Sequence, residues 1–383
     1  MPDMGYRHMS LLSHPIQLTF THRVFFTRAV DAADNPVFDE AMAGTRRALL
    51  VIEAAVHAAH PGFAAALADK LGPRLAAPPI VLPGGEACKQ SDAVYRSVIQ
   101  AVNTARIDRH DAILAVGGGA FLDAAGFAAA TAHRGVRLIR FPTTTLAQAD
   151  SGVGVKNGLN TFNKKNFTGS FHVPFAVIND SHFLYTQNAG ELCAGLVEAV
   201  KVALIKDPEF FTWIASNLDA LYEGEPAAIE HAVFRSAELH FQHITTGGDP
   251  FEFGSSRPLD FGHWAAHKLE SMSAHKITHA RAVAIGLAVD LTYSHLAGWL
   301  DTPTRDAVLA ILRALGLPLS HPLLGRRHAN GNLVVADGLE EFREHLGGEL
   351  TLLMLDGIGE TREIHAVDPL LLERAVAILL EPA

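Results

Sequence analysis

The sequence predicts an α/β protein with an N-terminal domain built on a parallel sheet and a C-terminal, mainly helical domain. Three observations carry that reading. Short apolar runs alternate with helical stretches through the first half, helical periodicity takes over from about residue 190, and 383 residues is long for one hydrophobic core.

Taken in order, Arg47–Ala54 (RALLVIEA), Ile80–Leu82, Asp111–Val116 (DAILAV) and Arg137–Phe141 (RLIRF) read as strands, followed by a buried strand over Phe175–Asn179. Ala120–His133 reads as a helix of small residues. Helices are then expected over Gly190–Ile205, Pro208–Tyr222, Pro226–Ile244, Gly262–His275, Ala280–Leu296 and Thr304–Leu315. A short strand pair is expected within Glu349–His365, where Gly357 and Gly359 mark turns. The boundary falls near residue 187, giving domains of 1–187 and 188–383. No Pro- or Ser-rich linker separates them, so they should pack closely, and the cleft between them is the natural ligand site.

Composition narrows the function. With 49% hydrophobic and 19% charged residues, a packed globular protein is expected. The net charge of −10 argues against a general nucleic-acid binder, though not against a local basic pocket for a small anion. There is no apolar run of membrane-spanning length, and the opening MPDMGYRHMS is not a signal peptide. Only Cys88 and Cys193 occur, with no CxxC pairing, which fits a reducing cytoplasm. The 21 histidines invite a search for a metal site.

Two features concern a nucleotide. Gly117-Gly118-Gly119 follows the DAILAV strand, and Asp123 comes four residues later at the start of a helix. Glycine there lets the backbone approach a pyrophosphate, and the helix N-terminus supplies amide donors; a tight βα turn alone would look the same. Glu53 ends an early strand, where a carboxylate can hold ribose hydroxyls and disfavour a 2′-phosphate. For a metal, His263 with His267 and His275 with His279 are each pairs at i, i+4, and such pairs are more often surface or core than ligands.

A more specific signal lies in RGVRLIRFPTTTLAQADSGVGVKNGLNTFNKKNFTGSF (134–171), GLVEAVKVALIKD (195–207), LDFGHWAAHKLE (259–270) and HARAVAIGL (279–287). In order and spacing these motifs resemble the 3-dehydroquinate synthase family of sugar phosphate cyclases over roughly residues 50 to 360, which have a Rossmann-like sheet domain and a helical domain. The resemblance implies a catalytic zinc (or cobalt) site on Glu198, His263 and His279, one histidine from each pair. One carboxylate and two imidazoles with open positions suit a catalytic rather than a closed structural site. It implies NAD contacts at Glu53, Glu86, Lys89, Gly118, Gly119, Asp123, Thr143, Thr144, Phe183 and Thr186. It places Asp150, Lys156, Lys201, Asp260 and His267 in the catalytic set and Lys165 and Asn166 on the phosphate. Arg134 would reach into a neighbouring subunit's site, hence a homodimer.

Four departures bear on the substrate. Gln242 and Ser256 stand where the family has a lysine and an arginine for the substrate carboxylate, with Arg257 adjacent. Asp260 replaces the asparagine of N-x-GH, and His345 replaces a lysine near the C-terminal glycine pair. Two fixed cations lost and a carboxylate gained suit a neutral, hydroxyl-rich head and disfavour a 2-keto acid. The RPLDFGH and EHLGG wording is similar to the epi-valiolone synthase branch, and that resemblance implies an NAD- and zinc-dependent lyase cyclising sedoheptulose 7-phosphate to 2-epi-5-epi-valiolone or 2-epi-valiolone. The alternatives are 3-dehydroquinate synthase, a metal-dependent polyol dehydrogenase, and a binding protein that has lost catalysis.

Overall fold

The structure, a computed structural model, describes residues 12–162, 164–247, 249–251, 258–345 and 347–381. Its first half carries a six-stranded sheet in the order β1-β8-β5-β4-β2-β3. The strands are β1 (Val24–Thr27), β2 (Ala48–Glu53), β3 (Ile80–Leu82), β4 (Ala112–Gly117), β5 (Arg137–Pro142) and β8 (Ala176–Asp180). Every neighbouring pair is parallel. A parallel sheet needs cover on both faces. The sequence meets that need with the continuous apolar runs ALLVI and AILAV. Leu50 and Ile52 enter the core on one face, Leu49 and Val51 the core on the other.

The expected strands are all found, with ends displaced by a residue or so. The strand β1 was not expected, being four residues at a sheet edge. Nor was the antiparallel hairpin of β6 (Lys156–Thr161) and β7 (Lys164–Phe171). Its sequence, KNGLNT and KKNFTGSF, lacks an apolar alternation because little of it enters a core.

One buried charge ties sheet to hairpin. Arg140, in the middle of β5, is completely buried. Its guanidinium donates to the carbonyls of Ser151 (3.3 Å), Gly152 (3.2 Å), Gly154 (2.7 Å) and Lys156 (2.9 Å), and to Asn157 Oδ1 (2.6 Å). Burial lowers its pKa only to about 10, so it stays charged at neutral pH. The chain from the end of β5 into β6 is thus pinned from beneath.

The second half is helical around a separate apolar core. The helix expected over 190–205 is in fact two, Ala189–Ala194 and Val197–Lys206. The break is at Gly195, where a Cβ would lie 2.6 Å from both the Leu146 amide nitrogen and the Thr145 side chain. A side chain there would push the helical half off the loop after β5. The stretch 208–222 likewise divides at Asn217. Single helices run over Pro226–Thr246, His263–Met272, His279–Leu296 and Thr302–Ala314. The expected strand pair is β9 (Leu352–Gly357) with β10 (Glu360–Ile364). Among the described residues no helix is long and apolar enough to cross a membrane.

Candidate active site

A cavity of about 1030 Å³ opens between the carboxyl ends of the sheet strands and the helical half. From β2 the chain moves outward to β3 and then returns to β4 on the other side, so β2 and β4 flank a topological switch point. Ligands of open α/β sheets bind at such crevices. Glu53 ends β2 there, and its carboxylate accepts from the amides of Gly85 (3.1 Å) and Gly118 (2.8 Å). It thereby joins the loop after β3 to the glycine turn after β4. The helix Gly119–Thr131 starts in that turn and aims its first amides at the cavity.

Each expected nucleotide residue lines this cavity. Gly118, Gly119 and Asp123 come from the turn and its helix, Thr143 and Thr144 from the segment after β5, and Phe183 and Thr186 from the 3₁₀ turn after β8. Glu86 and Lys89 complete the set from the loop after β3. Lys89 is buried, and its ammonium touches Asp123 Oδ2 (2.5 Å) and Asn166 Oδ1. Burial works against that charge, but Asp123 and Glu86 outweigh it and raise the lysine's pKa. Glu86 accepts from Asn160 (2.8 Å), so the hairpin is fastened to the nucleotide side.

Deeper in, Glu198 is buried on the Val197–Lys206 helix. Its Oε1 lies 3.7 Å from Nε2 of both His263 and His279. Lys201 pairs with Oε2, whereas Oε1 accepts no hydrogen bond. The two histidines begin adjacent helices, which meet where a Cβ on Gly286 would lie 1.9 Å from the Gly262 carbonyl. Each ring is held through its other nitrogen: His263 Nδ1 on the Phe261 carbonyl (3.1 Å), His279 Nδ1 on Glu270 Oε2 (3.0 Å). Both Nε2 lone pairs are thus turned toward the carboxylate, as in sites where outer partners fix the ligand tautomer. Burial, then the Lys201 charge, lowers the His263 pKa to about 4, keeping it neutral as a ligand must be. A buried carboxylate oxygen that accepts no hydrogen bond and faces two oriented imidazoles fits a divalent cation. His267, Glu270 and His279 also lie close enough to share an ion, but Glu270 is already engaged by Lys165 and His279.

The polar residues expected near the substrate divide three ways. Asp150, Lys156, Lys165, Asn166, Lys201, Asp260 and His267 all line the cavity. Asp150 sits in a π-helical turn, Ala147–Ser151, and its pKa falls well below the usual carboxylate range: burial opposes this, but His240 and Lys201 outweigh it. Lys165 pairs with Glu270 (2.5 Å), and Asn166 takes a left-handed conformation (φ 55°) in the hairpin. Gln242, by contrast, is exposed and not on the cavity wall. Helical geometry turns it to solvent while His240 and His243 on the same helix face inward. Arg134 is exposed and lines no part of this chain's cavity. Ser256, Arg257 and the side chain of His345 lie outside the described residues.

Sequence reasoning missed Glu270, His240 and His243. Glu270 was legible, standing at i+7 from His263 and i+3 from His267 on one helical face. The two histidines were hidden by attention to the position between them.

The chain resembles known proteins along most of its length. The sequence families described as 3-dehydroquinate synthase N-terminal and C-terminal match residues 79–194 and 195–334. The 3-dehydroquinate synthase of Pseudomonas aeruginosa (strain UCBPP-PA14) is 37% identical over 285 residues, 73% of this chain and 74% of that protein. ValA, a 2-epi-5-epi-valiolone synthase from Streptomyces hygroscopicus subsp. jinggangensis 5008 solved with NAD+ and Zn2+, superposes with a TM-score of 0.86 at 26% identity, covering 96% of this chain and 99% of that one. A 2-deoxy-scyllo-inosose synthase with carbaglucose-6-phosphate, NAD+ and Co2+ shares the fold (TM-score 0.73, 21% identity, 92% and 95% covered).

Proposed function

The chain belongs to the 3-dehydroquinate synthase family of sugar phosphate cyclases, and from that premise we propose that it cyclises sedoheptulose 7-phosphate with loss of phosphate, as a lyase using NAD and zinc or cobalt. The observation that carries the substrate is Asp260 on the cavity wall. A carboxylate offers acceptors only, so it is matched by hydroxyl donors on the substrate and mismatched to a second carboxylate. The similarity to ValA supports the same reading. A 3-dehydroquinate synthase is the second reading, favoured by the 37% identity to the Pseudomonas enzyme.

When bound, NAD supplies a temporary hydride acceptor and the metal an electrophile that acidifies the carbinol and the neighbouring C–H. The chain's own groups do the rest. Glu198, His263 and His279 would hold the metal. Lys156, Lys165 and Asn166 present a cation-rich wall for the departing phosphate. Lys201 stands between Glu198 and Asp150, where it balances the charge of both carboxylates. With NAD as a temporary hydride carrier the reaction would be redox-neutral and no net NADH would accumulate, which separates it from a polyol dehydrogenase. Arg134, exposed beyond the Gly119–Thr131 helix, is available to complete the site of a second copy in a homodimer.

Phosphate release with NMR analysis of the product tests the substrate. Turnover of sedoheptulose 7-phosphate is expected to exceed that of the 2-keto acid substrate of 3-dehydroquinate synthase by at least about a hundredfold, well inside the roughly 10⁴–10⁵ by which a site built to hydrogen-bond a hydroxyl rejects an analogue lacking it. Asp260→Asn should narrow that gap. Robust turnover of the keto acid alone by the unmodified protein would make it a 3-dehydroquinate synthase.

Nucleotide choice follows from Glu53. Two like charges at about 4 Å repel by roughly 4 kcal/mol at an effective dielectric near 20. Even partial repulsion should make NADP bind at least about tenfold more weakly than NAD in calorimetric titration. Equal affinities would remove Glu53 from the ribose.

A further inference from the structure

The helix Pro226–Thr246 presents two imidazoles to the cavity that the catalytic scheme above does not use. His240 and His243 are three residues apart and share a face, while Gln242, at 100° per residue, is turned away. His240 Nδ1 lies 2.5 Å from Asp150 Oδ1. The carboxylate can only accept, so Nδ1 carries a proton toward Asp150 and Nε2 is the nitrogen left to meet a ligand. That nitrogen would be 3.7 Å from a Cβ built on Gly154, so the glycine keeps the space before it open.

His243 is held differently. Burial, followed by the charge of Lys206, lowers its pKa to about 4, with His240 and Lys156 acting in the same sense and Asp260 opposing. It is therefore a neutral ring lying between lysines and a carboxylate. A neutral imidazole has one donor and one acceptor, the complement of a hydroxyl, which also has both. It has no charge with which to balance a carboxylate.

Resting on the sedoheptulose phosphate reading, we infer that His240 and His243, and not Gln242, select the head of the sugar, hydrogen-bonding its hydroxyl and carbonyl oxygens. Asp150 acts here as a positioning residue that fixes the orientation of the His240 ring.

The test compares steady-state constants of the metal- and NAD-loaded enzyme on sedoheptulose 7-phosphate and on the 2-keto acid substrate of 3-dehydroquinate synthase. His243→Ala is expected to raise KM for sedoheptulose 7-phosphate about tenfold, the value of one hydrogen bond to a partner left desolvated, with kcat within about threefold. His243→Gln, which keeps a donor and an acceptor at similar reach, should recover most of that loss. A fold defect would not be rescued this way or confined to KM. His240→Asn should raise KM by a similar factor. His243→Lys should move the preference toward the keto acid by about tenfold or more, while Gln242→Lys leaves both substrates unchanged within about twofold. A shift in preference by Gln242→Lys, with the His243 variants inert, overturns the inference. If the unmodified enzyme uses the keto acid alone, the substrate reading fails on its own account. The KM of His243→Ala for the keto acid then decides the inference separately, and an unchanged value overturns it.

Discussion

His263→Ala and His279→Ala are each expected to lose their bound divalent metal and at least about a thousandfold in turnover. The ligand set has three members, and both rings are pre-oriented, by the Phe261 carbonyl and by Glu270. Apparent zinc-binding energies of about 10–16 kcal/mol spread over four ligands give roughly 3 kcal/mol for each, or about a hundredfold in affinity. Three ligands at that value hold the metal with a Kd of roughly 0.1–1 μM, and losing one moves it to about 10–100 μM, so at micromolar protein the site is largely empty. The electrophile is then missing from the site, which costs far more than the affinity alone. Metal analysis after gel filtration reads the first effect independently of activity. His267→Ala discriminates between the two clusters, because His267 belongs only to the one with Glu270 and His279. It should retain its metal. Loss of metal from His267→Ala, with His263→Ala still loaded, would move the ion to that second set.

How far the sequence foretold this arrangement differs between parts of the chain, for physical reasons. The strands β2 and β4 announce themselves because a sheet covered on both faces needs uninterrupted apolar runs, and ALLVI and AILAV can serve little else. The hairpin of β6 and β7 gives no such sign. Its work is to carry Lys156, Lys165 and Asn166 to the cavity and to be held by Arg140, so most of its side chains are polar, and of its apolar ones Leu159 enters a core while Phe167 and Phe171 stay exposed. Arg140 itself was written plainly as a charge inside an apolar strand, but what it holds depends on loop carbonyls that no pattern specifies. The grouping of Glu198, His263 and His279 came from motif resemblance; spacing alone offered His263 with His267 and His275 with His279 equally. The Gln242 expectation failed because counting along motifs fixes a position in the chain and not its side of a helix. A rotation of 100° per residue sent that side chain to solvent and its neighbours inward.

Lys165→Met should abolish most turnover and also destabilise the fold, and a second substitution can separate the two effects. Lys165 Nζ lies 2.5 Å from Glu270 Oε1 and 3.2 Å from His279 Nδ1, and its side chain is only 11% exposed. Glu270 is almost wholly buried; although burial pushes its pKa up, Lys165 and then His279 hold it well below the usual range. It is therefore ionised in the folded protein. Removing the lysine leaves that carboxylate without its main counter-charge, a loss of about 3–5 kcal/mol when one member of a buried pair is deleted. Differential scanning calorimetry should register it as a lower Tm. Apart from stability, removing a donor that meets charge developing on a leaving group costs about 10²–10³ in kcat. Adding Glu270→Gln to Lys165→Met takes away the orphaned charge and should restore most of the lost Tm. It should not restore phosphate release, because the cation facing the leaving group is still absent; an unchanged metal content in the double variant separates this from a loosened His279, whose Nδ1 Glu270 holds. Recovery of both stability and turnover in the double variant would show that Lys165 serves only as the counter-ion of Glu270, and the phosphate pocket would then rest on Lys156 and Asn166.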